Sequence, residues 1–219
     1  FPAHYVDDHP EPMEAYFRTI QKAVKTLPLR GDCVLMCEPG RGLVASGCSV
    51  VVQVHLRKGN SLYINDGIFH SLSEPFHIGL KLPMRVIRPE GELSTKTTDF
   101  KIFGPTCDCT DQLPYTIALP ENIEEGDWIE IGQLGAYSNS MATRFNGFAV
   151  ETFVNVDCPP LVPEDEVVLH VPVRGYLRFL PAVYQGAVAA ERRDRLRAEE
   201  VVERGWRKLD NRQSAAKNV

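Results

Sequence analysis

The sequence has no apolar run long enough to cross a membrane and no leader-like N-terminus. Nowhere in the 219 residues does a stretch approach the roughly 18–20 apolar residues of a transmembrane helix. The first residues are acidic and contain prolines, unlike a signal peptide. We therefore predict a cytoplasmic protein without a membrane partner. Because the chain begins at Phe1 rather than methionine, we also expect it to be part of a longer protein.

The sequence also lacks an excess of positive charge and a disulfide-type cysteine pattern. A net charge of −5 argues against nucleic acid as a partner. The six cysteines do not follow the spacing of small secreted domains, so reduced thiols are expected. Cys107-Asp108-Cys109 has no second Cys or His pair at suitable spacing, and we predict no metal site.

The most informative stretch present is Cys33–Cys37, followed by Glu38-Pro39-Gly40-Arg41. Five apolar residues in a row predict a strand buried on both faces, as in a parallel sheet. Ligands in α/β folds bind where such strands end. Gly40 lets main-chain N–H groups approach an anion, Arg41 suits phosphate, and Glu38 suits a protonated nitrogen. A solvated turn is the alternative.

The flanking patterns predict an α/β segment followed by an all-β domain. Met13, Phe17, Ile20 and Val24 lie at helical spacing between Pro12 and Pro28. After Gly42 the chain alternates as short antiparallel strands separated by turns. The predicted strands are 48–56, 61–65, 81–88, 99–103, 115–119, 128–133 and 148–154, with a further candidate at 166–173 and a helix at 187–209.

Three further stretches combine turn formers with reactive side chains. Asn65-Asp66-Gly67 ends a strand with a carboxylate, although such pairs also form ordinary turns. The segment 104–111 presents two thiols and two carboxylates in one loop, and a thiol beside a carboxylate suits a proton donor. A purely structural loop is the alternative. Gly135-Ala136-Tyr137 and the later Phe145 offer a phosphate-binding hydroxyl and an aromatic wall, or simply buried aromatics of the β-domain.

Taken in order, these motifs resemble the C-terminal part of the fold-type III pyridoxal-phosphate-dependent decarboxylases, and most closely ornithine/lysine decarboxylase. The resemblance covers residues 1 to about 158. It rests on Phe-Pro, Cys-Glu-Pro-Gly-Arg, Asn-Asp-Gly, Gly-Pro-Thr-Cys-Asp-x-x-Asp, Gly-Ala-Tyr and Phe-Asn-Gly-Phe. It implies that residues 1–44 end an alanine-racemase-like (β/α)8 barrel. An antiparallel β-barrel or β-sandwich domain would cover 45–175, and 176–219 would form a helical or disordered tail.

The resemblance also implies roles for individual residues around pyridoxal 5'-phosphate. Glu38 would pair with the pyridine nitrogen. Gly40, Arg41 and Tyr137 would hold the phosphate. Within a head-to-tail homodimer, Asp66 would bind the distal ammonium of the amino-acid substrate in the cofactor's own subunit. Cys107 and Asp108 would reach across the subunit interface, where the thiol would protonate the α-carbon and the carboxylate would help to bind the amine. Phe145 would line the shared pocket.

The expected activity is decarboxylation of ornithine or lysine to a diamine for polyamine biosynthesis. Asp108 favours a plain amine terminus over the carboxylate-bearing end of diaminopimelate, and arginine is less favoured. The family's Schiff-base lysine and ring-stacking histidine would lie before residue 1, so this chain alone should turn over nothing. Two other hypotheses remain open: a non-catalytic homologue that binds a regulator, as antizyme inhibitors do, and an inactive truncated fragment.

Overall fold

The computed structural model describes residues 1–156 and 161–163. Within it, residues 1–151 and 161–163 belong to one compact unit. Residues 152–156 belong to a second unit and have no regular secondary structure. The predicted strand at 166–173 and the helix at 187–209 lie outside the described residues. The predicted division at residues 44 and 175 stays a prediction.

A six-stranded sheet forms the body of the first unit. Its strands are β1 (Val50–Lys58), β2 (Ser61–Ile64), β3 (Met84–Ile87), β4 (Thr97–Phe103), β5 (Gln112–Pro120) and β6 (Trp128–Ile131). Their order across the sheet is β3-β6-β1-β2-β4-β5. The edge strands β3 and β5 approach each other, so the sheet curls into a half-barrel.

Alternation of apolar and polar residues places the core inside this curl. Along β1, Val50, Val52 and Val54 are buried while Val51 is exposed, which is the period of two that a strand requires. Each such apolar side chain contributes about 1.5–3 kcal/mol when fully buried. The other large residues of the core include Leu62, Ile64, Leu82, Phe100, Ile102, Leu119, Ile123, Ile129 and Ile131.

The sheet is mixed rather than antiparallel throughout, which corrects the prediction in one respect. β2 and β4 run parallel, whereas the other neighbouring pairs are antiparallel. Parallel neighbours need a long crossover because the chain must return to the same end of the sheet. The connection from β2 to β4 supplies it, and it contains a short helix, α3 (Ser73–Ile78), and strand β3.

The predicted strands at 48–56 and 61–65 pair as a hairpin, and the predicted first helix is formed. β1 and β2 pair through Lys58↔Ser61, and Gly59 takes a left-handed φ of 56° in the turn between them. Helix α1 spans Met13–Thr26, directly after Pro12, as the proline and the apolar spacing indicated. None of its residues is buried.

The predicted strands at 33–37 and 148–154 are not formed. Residues 33–40 have no regular secondary structure, and the exposed fractions of Val34 and Met36 are 88% and 85%. A strand exists only through hydrogen bonds to its neighbours, and the described part of the chain places no strand beside this segment. The barrel remnant expected in residues 1–44 is therefore not seen as a strand. Phe148 follows a 3₁₀ turn, Phe145–Gly147, and the segment after it is irregular.

Three further short helical segments connect the sheet to the predicted site residues. Helix α2 (Arg41–Val44) leads into a 3₁₀ turn over Ala45–Gly47, and α4 (Ser138–Met141) follows β6. Helices α3 and α4 contact each other. This contact brings the segment after β2 beside the segment after β6, where several candidate residues lie.

Candidate functional site

Arg41 lies at the centre of a partly buried group of side chains from four separate segments. Its Nη1 donates a hydrogen bond to the Tyr5 hydroxyl at 2.7 Å, and its Nη2 forms an ion pair with Glu74 of α3. The guanidinium carbon lies 5.4 Å from the ring centroid of Tyr137 and 5.8 Å from that of Tyr5. This geometry allows cation–π attraction on both rings.

The environment of Arg41 keeps its positive charge. Burial alone would lower the pKa of the guanidinium, but the hydrogen bonds to Glu74 and Tyr5 outweigh that effect and raise the pKa above its ordinary value. An arginine in this position is a permanent cation that can donate further N–H groups to an anion.

Gly40 and Tyr137 lie beside this cation. A Cβ atom placed on Gly40 would come within 3.7 Å of the Tyr137 hydroxyl oxygen, so the main chain of Gly40 faces that hydroxyl closely. Tyr137 takes a left-handed φ of 62° immediately before α4, and about half of the residue is exposed. The structure thus brings together three of the four predicted cofactor-binding residues.

The fourth predicted cofactor-binding residue, Glu38, lies exposed on the segment that leads to Gly40. Its neighbour Pro39 is half-buried, and the chain turns there toward α2. Glu38 precedes Gly40 by two residues, so the Cα atoms of the two lie at most about 7 Å apart.

Asp66 is buried in the turn after β2 and has an unsatisfied oxygen. Its Oδ1 accepts hydrogen bonds from the backbone N–H groups of Gly67 at 2.6 Å and Ser71 at 3.0 Å. Its Oδ2 is buried and has no hydrogen-bond partner among the described residues. Burying a carboxylate oxygen without a donor is costly, so this atom is suited to receive a cationic or N–H group from a ligand.

Residues that follow Asp66 fix the position of Phe145. His70 donates from Nε2 to the carbonyl oxygen of Phe145 at 3.1 Å, which fixes the proton on that nitrogen. The ring of Phe145 packs on Phe69 with a centroid separation of 4.8 Å. Thr143 adds two hydrogen bonds to the Phe69 carbonyl, from its N–H at 3.1 Å and its hydroxyl at 2.7 Å. Asp66 and Phe145 are therefore positioned by one connected segment.

The loop 104–111 exposes Cys107 and Asp108. The Cys107 sulfur accepts a hydrogen bond from the Asn146 side chain at 3.6 Å, which places the thiol beside the 3₁₀ turn that carries Phe145. The backbone N–H of Thr110, and then its hydroxyl, hydrogen-bond to the Asp108 carboxylate and lower its pKa below the ordinary value. Asp108 therefore stays ionised at neutral pH.

Asp111 anchors this loop to the turn that contains Asp66. The residue is only 2% exposed, and its Oδ1 accepts from the Ile68 N–H at 3.1 Å. Its Oδ2 accepts from the Thr106 N–H at 3.1 Å and the Thr106 hydroxyl at 2.7 Å. A Cβ on Gly67 or Gly104 would come within 2.3 or 2.1 Å of Oδ1, so both positions require glycine.

Four contributors to this region were missed in the sequence analysis: Tyr5, His70, Glu74 and Asp111. Asp111 stands in a quoted motif, and the glycine that begins its loop, Gly104, could have signalled a buried carboxylate. Tyr5 and Glu74 carry no local signal, because their contact with Arg41 joins segments far apart in the chain.

Residues 1–156 and 161–163 contain no group of three or more His, Cys, Asp or Glu side chains arranged to hold a metal ion. The five described cysteines are free. No helix in this part of the chain is long and apolar enough to cross a membrane.

This chain resembles known proteins in sequence and in fold. Residues 42–135 match the family described as "Pyridoxal-dependent decarboxylase, C-terminal sheet domain". The structure of lysine/ornithine decarboxylase complexed with cadaverine from Vibrio vulnificus superposes with a TM-score of 0.56 at 30% identity. That superposition covers 68% of this chain and 39% of the other.

Two curated relatives show the range of functions in the family. Diaminopimelate decarboxylase of Helicobacter pylori is 33% identical over 118 residues, which are 52% of this chain and 28% of the relative. Antizyme inhibitor 2 of Xenopus laevis is 31% identical over 138 residues, 55% of this chain and 30% of the relative. The chain thus spans about a third of the length of these relatives. Residues 42–135 of this chain therefore resemble the C-terminal sheet domain of the pyridoxal-dependent decarboxylases.

Proposed function

We propose that this chain is the C-terminal portion of a pyridoxal-phosphate-dependent decarboxylase that converts ornithine or lysine to a diamine for polyamine biosynthesis. The observation that carries the proposal is the convergence of Gly40, Arg41 and Tyr137, which come from segments on either side of the sheet in the sequence. A glycine main chain, a permanent cation and a hydroxyl are the donors that a phosphate group requires.

The cofactor fits the residues present at its two ends. When bound, pyridoxal phosphate supplies an electron-withdrawing ring that stabilises the charge left at the α-carbon as CO2 departs. Arg41 and Tyr137 would donate hydrogen bonds to the phosphate oxygens. The Glu38 carboxylate would accept a hydrogen bond from the ring nitrogen and favour its protonated form.

The substrate end would be bound by carboxylates. Asp66 has a buried, unpaired Oδ2, and an ammonium group would satisfy it and be neutralised by it. In the proposed homodimer, Asp108 would reach the same amine from across the subunit interface, and its hydrogen bonds from Thr110 keep it ionised. The Cys107 thiol is exposed and can deliver a proton to the α-carbon, and the partly exposed Phe145 ring lines the pocket.

The exposed apolar surfaces of residues 1–44 support the proposal that further chain covers them. Helix α1 buries none of its residues, and Val34 and Met36 are almost fully exposed. Apolar side chains arranged in this way usually face another element or another subunit. In the proposed enzyme they would pack in the barrel that holds the cofactor, and the site would be shared across a head-to-tail homodimer.

The experiment that tests the proposal measures cofactor and turnover together. The purified protein that carries this chain should show the visible absorbance of bound pyridoxal phosphate and should release CO2 from carboxyl-labelled ornithine or lysine. Because these two substrates differ by one methylene, worth about 1–3 kcal/mol, we expect both to react at different kcat/KM. Arginine and diaminopimelate serve as the comparison substrates.

Two variants assign the roles. Cys107→Ala should lower kcat or change the product, because it removes the proton donor. Asp66→Asn should raise KM for the diamino acids, with Asp99→Asn on the exposed face of β4 as the matched control. An unchanged rate and product in Cys107→Ala would contradict the proposed role of the thiol. Absence of both cofactor absorbance and CO2 release would contradict the function.

A non-catalytic binding role is the second candidate. It is favoured by the likeness to antizyme inhibitor 2 and by the ion pair that occupies Arg41. Under this alternative the protein binds a regulatory protein and neither takes up pyridoxal phosphate nor releases CO2. The same absorbance measurement therefore separates the two candidates.

A further inference from the structure

Glu74 is a buried carboxylate that pairs with the cation of the candidate phosphate site. Its side chain is 7% exposed, and it forms an ion pair with Arg41, whose side chain is 19% exposed. A carboxylate removed from water to this degree needs a positive partner, since an unpaired buried charge is strongly destabilising. The pair is therefore held together by the surroundings of both residues.

This pairing changes what an incoming anion meets. Among the described residues, the other groups seen to contact the guanidinium are the Tyr5 hydroxyl and the rings of Tyr5 and Tyr137. The positive charge of Arg41 is thus already balanced by Glu74. A phosphate that approaches Gly40 and Tyr137 meets a neutral ion pair, with a carboxylate beside it, in place of a free cation.

We propose that Glu74 is an internal competitor for Arg41 and sets the affinity of this site for phosphate. The inference rests on the proposed function for the identity of the anion, which is the phosphate group of pyridoxal phosphate. On binding, the phosphate must share Arg41 with Glu74, and the two negative groups repel each other at short range. The chain therefore carries a built-in restraint on anion binding.

A purely structural role for Glu74 predicts the opposite change in anion affinity. If Glu74 served only to orient Arg41 toward the ligand, removing its charge would loosen the arginine and weaken anion binding. Competition predicts tighter binding when the charge is removed and the hydrogen-bond acceptor is kept. Glu74→Gln makes that change, because the amide oxygen can still accept from the guanidinium.

The experiment measures dissociation constants on the full chain by titration calorimetry. The probes are inorganic sulfate, which stays a dianion at neutral pH, pyridoxal phosphate, and pyridoxal, which lacks the phosphate. We expect Glu74→Gln to bind sulfate and pyridoxal phosphate about tenfold more tightly than the wild type, with little change for pyridoxal.

Glu130→Gln is the matched control. Glu130 is also buried and accepts a hydrogen bond from Arg85 Nε at 2.6 Å, but it lies in the sheet on β6. This variant makes the same chemical change at a buried Glu–Arg pair and the same change in net charge. Its dissociation constants should stay within about twofold of the wild type if the effect belongs to the site rather than to overall charge.

Glu74→Asp gives a second, independent test that keeps the buried charge. The shorter side chain competes less well for the guanidinium, so the affinity of the Glu74→Asp variant for sulfate should fall between those of the wild type and Glu74→Gln. Weaker or unchanged anion binding in both Glu74 variants overturns the inference.

The outcomes for the inference and for the proposed function are distinct. Tighter sulfate binding in Glu74→Gln, without competition by pyridoxal phosphate, supports the competitor role and contradicts the cofactor assignment. If replacing Arg41 abolishes pyridoxal phosphate binding and Glu74→Gln binds pyridoxal phosphate more weakly than the wild type, the cofactor assignment is supported and the competitor role is contradicted.

Discussion

Removing the Asp111 carboxylate should release the loop that carries Cys107 and Asp108. Asp111 accepts hydrogen bonds from Ile68 on one side and from Thr106 on the other, so one carboxylate joins the loop 104–111 to the turn after β2. In Asp111→Ala both connections are lost. The loop then keeps weaker connections, such as the hydrogen bond from the Gly104 N–H to the Asp111 carbonyl at 2.8 Å and that from the Asn146 side chain to the Cys107 sulfur at 3.6 Å.

The size of the destabilisation depends on which hydrogen-bond donors are left buried without an acceptor. Ile68 is 5% exposed, so its N–H cannot reach water, and leaving such a donor unpaired costs about 1–3 kcal/mol. Thr106 is only half-buried, so its N–H and hydroxyl recover hydrogen bonds with water and each lose about 0.5–1.5 kcal/mol. We therefore expect Asp111→Ala to lower the free energy of unfolding by about 3 kcal/mol.

Asp111→Asn should cost less than Asp111→Ala, by the same reasoning. The amide oxygen can replace one carboxylate oxygen as an acceptor. The NH2 group then faces a donor that it cannot satisfy, so about half of the stabilisation remains. The assay is urea unfolding at pH 7, with amide hydrogen exchange at Ile68 as the local readout.

Asp99→Ala is the control, because Asp99 is exposed on β4 and should shift stability by no more than about 0.5 kcal/mol. The role assigned to Asp111 is refuted if the free energy of unfolding of Asp111→Ala lies within about 0.5 kcal/mol of the wild type, or if hydrogen exchange at the Ile68 amide is unchanged. Equal destabilisation by Ala and Asn would refute the assignment of separate oxygens to Ile68 and Thr106.

Three further predictions concern protonation and close packing. Burial raises the pKa of Tyr115 to about 12, so its stabilising effect is complete below its ordinary pKa of 10.0 and is lost as the pH rises toward 12. Tyr115→Phe should flatten that alkaline loss in urea titrations, and an unchanged slope would contradict this. Thr110→Val should raise the pKa of Asp108 toward its ordinary value, measured by carboxyl ¹³C NMR, because the hydroxyl contributes to the lowering. The contribution of Asp108 to stability is present above its ordinary pKa and lost on acidification, so an unshifted midpoint would contradict the assigned hydrogen bond. Gly135→Ala should cost about 3 kcal/mol or more in thermal unfolding, since a Cβ there would lie 1.6 Å from the Val44 carbonyl oxygen.

Most of the sheet could be predicted because its signals are local. The alternation along β1 and the turn at Lys58-Gly59-Asn60 each determine a short segment without help from the rest of the chain. The parallel pairing of β2 with β4 could not be predicted in the same way. Strand order depends on the path of the long crossover between them, and the pattern within either strand is compatible with both directions.

The segment 33–37 shows why a correct reading of residue type can still give a wrong element. Five apolar residues favour burial, but burial needs partners, and the described residues offer this segment no neighbouring strand. The prediction at 148–154 failed differently, because its aromatic and β-branched residues follow a 3₁₀ turn and form no ladder with the sheet.

In the candidate site, too, some residues are signalled by the local sequence and others only by contacts between distant segments. Gly40, Arg41 and Tyr137 could be proposed from motifs because each residue type suits one chemical task at one turn. Glu74 could not, since its importance arises only when the fold brings its carboxylate to the Arg41 guanidinium. A sequence motif can therefore identify the groups that would bind a phosphate, but the charge they present to it depends on a residue outside every motif. For this reason the affinity of the site cannot be inferred from the motifs alone, and the Glu74 variants are the direct measure of how far the surrounding fold modifies it.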